Sequence, residues 1–204
     1  MKDLKGIKNI IFDFGNVIMD IDFQLTVKKF KELGFSNIES FLKNYRSLGF
    51  FSDYQEGKIS DSEFLQKIRE NSGVNMSDEA IKTAWNAMLL EYSTDRLIAL
   101  KDLKLKYKIF LLSNTNNIHY HNFAFRVPMD ANIDNYFHKA YYSHILGMSK
   151  PGIEIYQHVL KEQALQPHET LFIDDLQENI DGAEAIGMIT HLATYPGEWL
   201  EWFE

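Results

Sequence analysis

The chain has 204 residues, of which 45% are hydrophobic and 25% are charged, and these values are ordinary for a globular protein. Its formal net charge of −8 argues against a nucleic-acid backbone or an anionic membrane surface as the main partner. The absence of cysteine excludes disulfides, thiolate metal sites and cysteine nucleophiles. No signal peptide and no apolar run of membrane-spanning length is found, so the sequence predicts a cytoplasmic protein.

Five short apolar segments, separated by helical patterns, predict an α/β fold. The first strand is predicted at residues 8–12, and the later strands are predicted at 108–112, 139–143, 170–173 and 188–193. Helical patterns precede later strands at 95–106, 152–164 and 177–186. Because alternating strands and helices imply parallel strands joined by right-handed crossovers, we expect a three-layer Rossmann-like core.

The segment between the first two strands spans about 90 residues, which is too long for one crossover. It contains no convincing strand, and its patterns predict helices at 23–34, 38–48, 60–71 and 77–92. Ser60 and Ser77 are candidate N-caps for the last two helices. We therefore expect a helical cap domain at 18–94, inserted into a core domain made of 1–17 and 95–204. Such a cap would cover the carboxyl end of the first strand, where it can exclude water and select substrates.

Carboxylates follow two of the predicted buried strands. Asp13 comes directly after the first strand, and Asp174 and Asp175 follow the fourth. The carboxyl ends of parallel strands form the edge at which α/β sheets bind ligands. A buried carboxylate without a partner is costly, and Mg²⁺ prefers oxygen ligands of this kind. The three carboxylates therefore predict a divalent metal site at the sheet edge.

Two further polar segments are expected at the same edge. Ser113 and Asn114 follow the second strand, and Lys150 follows the third. The Ser113 hydroxyl and the Asn114 backbone N–H can donate to phosphate oxygens, and Lys150 can neutralise a transferring phosphoryl group. A carboxylate such as that of Asp13 can attack phosphorus. Each residue alone is more often a cap, a turn residue or a surface lysine, so only the ordered set predicts a phosphate site.

The four segments resemble, in order and spacing, the four motifs of the haloacid dehalogenase-like hydrolases. The stretches that carry the resemblance are Phe12-Asp13-Phe14-Gly15-Asn16-Val17, Leu112-Ser113-Asn114-Thr115, Ser149-Lys150-Pro151 and the segment from Phe172 to Ala183. A helical cap between the first two motifs is typical of one subfamily. Within the family, the sequence looks closest to the bacterial α-D-glucose-1-phosphate phosphatases.

This resemblance implies a Mg²⁺-dependent phosphatase whose partner is a small phosphorylated metabolite, such as a sugar phosphate and in particular glucose 1-phosphate. Asp13 would be the nucleophile as well as a metal ligand. The full set of metal ligands would be Asp13, the Gly15 carbonyl, Asp174 and Asp175, with Asp175 the safer direct ligand. The phosphate-binding residues would be Ser113, Asn114 and Lys150. Asn179 would support the loop of the fourth motif.

Gly15 departs from the family pattern, because most phosphatases of the family have a second Asp there as the general acid–base. A placed proton donor is typically worth about 10²–10⁴-fold in rate. Three explanations stay open: a good leaving group such as a sugar 1-phosphate, which the narrower resemblance favours; slow turnover; or another proton donor, for which the candidates are Asp20, Asp22 and His119.

Two other functions also stay open. Haloacid dehalogenases lack the second Asp as well, attack carbon and need no metal. An enzyme without a metal, however, has little reason to place Asp174 and Asp175 beside another carboxylate. The third possibility is a phosphate-binding or regulatory module that lost turnover with Gly15.

Several residues of the cap and of the chain end are weaker candidates. Possible sugar contacts are Asp20, Asp22, Arg46 and Asn117. His119 and His121 diverge at i, i+2 on a helix, which favours a surface or pocket-edge position over a metal site. Packing of the cap core is favoured over pocket lining for Tyr45, Phe50, Phe51 and Tyr54. Packing against the core is favoured for Trp199, Trp202 and Phe203.

Overall fold

A computed structural model describes residues 4–43 and 49–203. Within these ranges the strands are β1 (Asn9–Phe12), β2 (Met19–Ile21), β3 (Leu89–Tyr92), β4 (Lys108–Ser113), β5 (Lys139–Tyr142), β6 (Thr170–Asp174) and β7 (Ile189–Leu192). Five of them form one parallel sheet in the order β5-β4-β1-β6-β7. All five strands of this sheet coincide with the predicted segments, and the predicted α/β fold is confirmed.

The helices of the described residues are α1 (Phe23–Glu32), α2 (Ile38–Lys43), α3 (Phe50–Gln55), α4 (Asp61–Ser72), α5 (Asp78–Asn86), α6 (Thr94–Lys104), α7 (Asn117–Phe123), α8 (Ser143–Leu146), α9 (Ile153–Glu162) and α10 (Gln177–Glu184). Short 3₁₀ turns cover Ile133–Tyr136, Pro167–Glu169 and Glu198–Trp202. No helix in the described part of the chain is long and apolar enough to cross a membrane.

The central strand β1 supplies both faces of the sheet, which explains its continuous apolar run. Ile10 and Phe12 pack on one face with residues of α6, and Ile11 packs on the opposite face with residues of α9. Successive side chains of a strand point to opposite faces, so one short run contributes to two cores. The sheet edge that follows β1 is therefore held between two layers of packed helices.

The C-terminal aromatic residues pack against the core, as predicted. Trp199 is fully buried, and its indole N–H donates to the carbonyl of Val17 over 3.0 Å. Its ring meets the ring of Phe12 edge-on, with centroids 5.0 Å apart. The chain end thus supports the loop that follows the first strand.

Helices α1 to α5 form a layer with its own apolar cluster, in which Phe30, Phe35 and Phe64 are fully buried. Ser60 caps α4 in a reciprocal bond pair with Glu63, and the Ser77 side chain caps α5. Both predicted N-caps are confirmed. Residues 44–48 of the helix predicted at 38–48 lie outside the described residues.

The expectation of an insertion without strands is wrong. The helix predicted at 77–92 ends at Asn86, and Leu89–Tyr92 forms β3, which pairs antiparallel with β2. Over so few residues an apolar run fits a helix or a strand equally well, and the pairing partner is about 70 residues away in sequence. Side chains of Met19 and Tyr92 pack in the cluster of the core. The division at residues 18 and 94 stays a prediction.

Candidate active site

The ends of two neighbouring strands bring the predicted carboxylates together. Asp13 follows β1, and its backbone N–H donates to the carbonyl of Ile173 in β6 over 2.8 Å. Carboxylate oxygens of Asp13, Asp174 and Asp175 lie within 4.8 Å of one another. Strands that are adjacent and parallel present their carboxyl ends at the same edge, so residues about 160 positions apart in sequence become neighbours.

Lys150 lies between two of these carboxylates. Its ammonium donates to Asp13 Oδ1 over 2.5 Å and to Asp174 Oδ2 over 2.6 Å, and its side chain is fully buried. The side chain of Asn114 holds the lysine backbone, since its Oδ1 accepts from the Lys150 N–H and its Nδ2 donates to the Lys150 carbonyl. Asn114 therefore uses its side chain to position Lys150, which leaves its backbone N–H for a ligand.

The burial of this cluster alters the affinity of its groups for protons. Burial raises the pKa of Asp13 to about 7, Lys150 opposes this rise and the nearby Asp174 adds to it. Burial disfavours the charge on Lys150, but Asp13 and Asp174 outweigh it and hold the pKa of the lysine above its ordinary value. Burial likewise raises the pKa of Asp175, against a hydrogen bond from Asn16. One lysine among three carboxylates leaves an excess of negative charge that a divalent cation would neutralise.

The two adjacent aspartates have different surroundings. Asp174 Oδ1 accepts from the Leu176 N–H and from Asn179 Nδ2, both over 2.9 Å, and its Oδ2 accepts from Lys150. Asp175 instead lines a polar cavity of about 470 Å³ together with Asp13. Asp13 and Asp175 thus face open space where a cation could bind, whereas Asp174 is held inside the protein. Asn179 lies where it fixes the loop that carries both aspartates.

Asn16 is a member of this site to which the sequence reasoning gave no role. Its backbone has a φ of 53°, in the left-handed region that Asn tolerates better than most residues. Its Nδ2 donates to Asp175 Oδ2 over 3.0 Å, and its Oδ1 accepts from the Ile21 N–H. The Gly-Asn pair after the first strand was the available signal, because it indicates a turn that can aim a side chain back at the site.

Helix α3 contributes two further polar residues that the sequence did not indicate. Ser52 and Gln55 line the polar cavity from the side of the helical layer. No helix was predicted at Phe50–Gln55, so no local pattern marked them. Ser113 is buried and lines an adjoining, more enclosed cavity of about 230 Å³ rather than the polar one. The structure therefore brings Asp13, Lys150 and the two aspartates together and places Ser113 beside them.

The weaker candidates for sugar contacts are bonded elsewhere. Asp20 pairs with Arg96, and Asp22 accepts from the Gln24 N–H at the start of α1. Asn117 donates to Asp61 over 2.9 Å. None of these three aspartate and asparagine candidates lines either cavity in the described part of the chain. Arg46 and Tyr45 lie outside the described residues.

His119 is buried rather than exposed, and it lines the enclosed cavity. Its ring stacks on Trp85 with centroids 5.0 Å apart, and its nitrogens contact Asn116 and the Trp85 carbonyl. Burial lowers the pKa of His119 to about 4, so the ring is neutral at neutral pH. Phe51 and Tyr54 both pack in the helical layer and line the same cavity, so their two predicted roles are compatible.

Comparison with known proteins agrees with this geometry. The family model described as haloacid dehalogenase-like hydrolase matches residues 7–187. A D-ribitol-5-phosphate phosphatase of Bacteroides thetaiotaomicron is 34% identical over 196 residues, which cover 95% of this chain and 95% of that protein. A sesquiterpene phosphatase of Aspergillus oryzae is 27% identical over 188 residues, covering 89% of this chain and 87% of that protein.

A crystal structure from Bacteroides thetaiotaomicron has the same fold. It is described as a haloacid dehalogenase (HAD) family enzyme in complex with magnesium and inorganic phosphate. It matches with a TM-score of 0.90 and 35% identity, covering 97% of this chain and 100% of that chain. The motifs, the fold and these relatives agree, and the chain belongs to the haloacid dehalogenase-like hydrolase family.

Proposed function

We propose that this protein is a Mg²⁺-dependent phosphatase that hydrolyses small sugar or sugar-alcohol phosphates through a phosphorylated Asp13. One observation carries the proposal: three carboxylates lie within 4.8 Å of one another, and a fully buried lysine bridges two of them. The phosphatase relative and the magnesium and phosphate complex of a similar enzyme support it. A metal-independent dehalogenase would have no use for such a carboxylate cluster.

The donor set fits Mg²⁺, because its protein ligands would all be oxygen atoms. The residues proposed to hold the ion are Asp13, the Gly15 carbonyl and Asp175, which line one cavity, with Asp174 behind them. When bound, Mg²⁺ would neutralise charge on the carboxylates and on the phosphoryl oxygens. The fully buried Lys150 supplies a positive charge beside Asp13, 2.5 Å from its carboxylate.

In the first step, a carboxylate oxygen of Asp13 would form a bond to phosphorus while the bond from phosphorus to the ester oxygen breaks. The alcohol leaves with that electron pair and takes a proton. In the second step, water attacks the phosphorus, the bond to Asp13 breaks, and inorganic phosphate and the free carboxylate are formed. Lys150 would keep Asp13 oriented and ionised, and the Asn114 N–H and the Ser113 hydroxyl would donate to phosphate oxygens.

Within residues 4–43 and 49–203, none of the candidate proton donors named from the sequence is placed to protonate the leaving oxygen. Asp20 and Asp22 are bonded elsewhere, and His119 is neutral at neutral pH because burial lowers its pKa to about 4. An easy leaving group would also explain Gly15, but the relative's substrate, D-ribitol 5-phosphate, is the ester of a primary alcohol. Glucose 1-phosphate, the narrower expectation from the sequence, therefore loses its support. We propose that solvent protonates the leaving oxygen and that Gly15 lowers the rate.

The aromatic lining of the enclosed cavity favours a second candidate substrate class, the phosphates of apolar alcohols. The Aspergillus relative, described as a sesquiterpene phosphatase, is named for a substrate of this kind. The size of the cavity argues against a long chain. A water molecule takes about 30 Å³ of liquid volume, so 230 Å³ corresponds to roughly eight non-hydrogen atoms. A sesquiterpene has fifteen carbons, whereas ribitol has ten non-hydrogen atoms.

Phosphate release from a panel of esters, with Mg²⁺ or with EDTA, tests the proposal. The panel contains D-ribitol 5-phosphate, α-D-glucose 1-phosphate, farnesyl phosphate and p-nitrophenyl phosphate. We expect Mg²⁺-dependent release that Asp13→Asn abolishes and that Asp102→Asn, a change at an exposed residue of α6, leaves intact. Release of halide from a 2-haloacid in EDTA would support the dehalogenase instead. Binding of BeF₃⁻ without any turnover would support a phosphate-binding module.

A further inference from the structure

Two cavities meet beneath the helical layer. The polar cavity contains Asp13 and Lys150, and the enclosed cavity extends away from them between α3, α5 and the segment after β4. Among residues 4–43 and 49–203, three line both cavities: Gly15, Gln55 and Asn114. A phosphate ester bound at Asp13 would pass these three residues on its way into the enclosed cavity.

Of the three, Gln55 alone presents a polar side chain that is available to a ligand. Gly15 has no side chain, and the amide of Asn114 is occupied on both sides by the backbone of Lys150. Across residues 4–43 and 49–203, no hydrogen bond joins the Gln55 side chain to another group. The carboxamide offers both a donor and an acceptor at the passage between the two cavities.

One backbone bond and two side-chain bonds hold the turn of chain around Gln55 against the core. The Ser143 hydroxyl donates to the Gln55 carbonyl over 2.6 Å. The hydroxyl of the preceding Tyr54 accepts from the Ile118 N–H over 3.2 Å, and the Ser149 hydroxyl donates to the following Glu56 over 2.6 Å. Bonds on three successive residues hold this turn of the chain in place, so little ordering is needed when a ligand binds.

We propose that Gln55 is a specificity-determining residue whose amide hydrogen-bonds the hydroxyl on the carbon next to the ester carbon of the substrate. The inference rests on the proposed phosphatase function and narrows its substrate class. The preferred substrates are monophosphates of small polyols, whose hydroxyl adjacent to the ester meets Gln55. The aromatic walls beyond the passage, including Phe51 and Trp85, then contact the C–H faces of the chain.

Gly15 lines both cavities and adds no side chain to the passage between them. A Cβ added to Gly15 would meet the Ile21 side chain at 3.4 Å and Asp13 Oδ2 at 4.0 Å, which are ordinary contacts. The position of the absent general acid and the amide of Gln55 therefore lie beside the same opening.

The test compares Gln55→Leu with wild type on two esters that differ by one hydroxyl, pentyl phosphate and 2-hydroxypentyl phosphate. We expect wild type to prefer the hydroxylated ester. The variant should lose about threefold to tenfold in kcat/KM on that ester, mainly through KM, since one neutral hydrogen bond is removed. Activity on pentyl phosphate should fall by a smaller factor, so the preference for the hydroxylated ester should shrink. Gln66→Leu, at an exposed residue of α4 that bonds to Glu70, is the matched control and should change neither rate.

Gln55→Asn keeps the amide but shortens its reach, so it should lose more activity on the hydroxylated ester than on pentyl phosphate. This variant provides the same test if the leucine variant folds poorly. Equal losses on both esters, or no loss on either, would overturn the role of Gln55 while the phosphatase function stands. A wild-type preference for pentyl phosphate over its hydroxylated partner would also overturn it. Absence of Mg²⁺-dependent release from every ester, p-nitrophenyl phosphate included, would remove the phosphatase function itself.

Discussion

Replacement of Lys150 by methionine tests whether the positive charge of the lysine, beside the carboxylates of the site, also stabilises the folded protein. The lysine side chain is fully buried and touches Asp13 at 2.5 Å and Asp174 at 2.6 Å. Methionine has a similar length and no charge, so the change removes the cation with little change in packing. The variant leaves the carboxylates of Asp13, Asp174 and Asp175 within 4.8 Å of one another without a protein cation.

Removing one partner of a buried ion pair typically costs about 3–5 kcal/mol, because the remaining charge stays buried and unpaired. We expect a loss of about this size for Lys150→Met in EDTA at pH 7.5. Mg²⁺ should restore part of it, since an ion bound only by the folded state adds about 2.7 kcal/mol of stability at a concentration 100 times its Kd. The rescue should be larger in the variant than in wild type because three uncompensated carboxylates attract the ion more strongly.

The assay is urea unfolding with and without Mg²⁺, together with phosphate release. Lys161→Met, at an exposed residue of α9, serves as the control and should change the free energy of unfolding by less than about 0.5 kcal/mol. The double variant Asp13→Asn, Lys150→Met should lose less than the sum of the two single losses, because the two residues are in contact. Equal stability of Lys150→Met and wild type in EDTA would refute the charge-balance reasoning.

Three further outcomes follow from the geometry. Gly15→Asp should fit, since its Cβ would have ordinary contacts. On D-ribitol 5-phosphate, whose alkoxide must be protonated as it leaves, a gain in kcat of up to about 10²-fold would indicate a missing acid, and no gain would indicate that proton transfer does not limit the rate. Trp199→Phe should lower the free energy of unfolding by about 1–3 kcal/mol in urea titrations, because the buried carbonyl of Val17 loses its donor; an unchanged midpoint would contradict this. Folding lowers the pKa of His119 from its ordinary 6.5 to about 4, so the unfolded chain binds a proton at a higher pH than the folded protein does. The free energy of unfolding therefore decreases as the pH is lowered from about 6.5 to about 4. At pH 5 the loss in the free energy of unfolding should be about 2 kcal/mol. The free energy of unfolding of His119→Gln should therefore depend less on pH than that of wild type, and an equal pH dependence in the two proteins would contradict this prediction.

The insertion shows where sequence reasoning failed and why. The helix ends at Ser60 and Ser77 could be predicted because capping involves residues only three apart. The pairing of β2 with β3 could not, because the strand at Leu89–Tyr92 depends on a partner at Met19–Ile21. A run of four residues carries no period that distinguishes a strand from a helix on its own.

The contrast between features set by residues close in sequence and features set by distant partners also applies to residues around the cavities. Ser52 and Gln55 belong to a short helix without a clear local pattern. They line the polar cavity only once the helical layer has folded over the sheet edge. His119 could be predicted near the pocket edge from its position, but its neutral state depends on burial beside Trp85, which lies 34 residues away. Long-range packing fixes the electrostatic environment of a side chain, and the sequence alone does not state it.

The sheet and the chemistry at its edge could be predicted from the residues of each strand and the polar groups that follow it. Buried strands must be apolar on both faces, so carboxylates that follow two such strands stand out, and Asp13, Asp174 and Asp175 could be recognised together as a set. The tertiary structure decided which groups meet: the Lys150 bridge, the hold of Asn114 on the lysine backbone and the passage beside Gln55. These contacts join residues that are distant in sequence, and their geometry exists only after the strands have paired and the helices have packed on them.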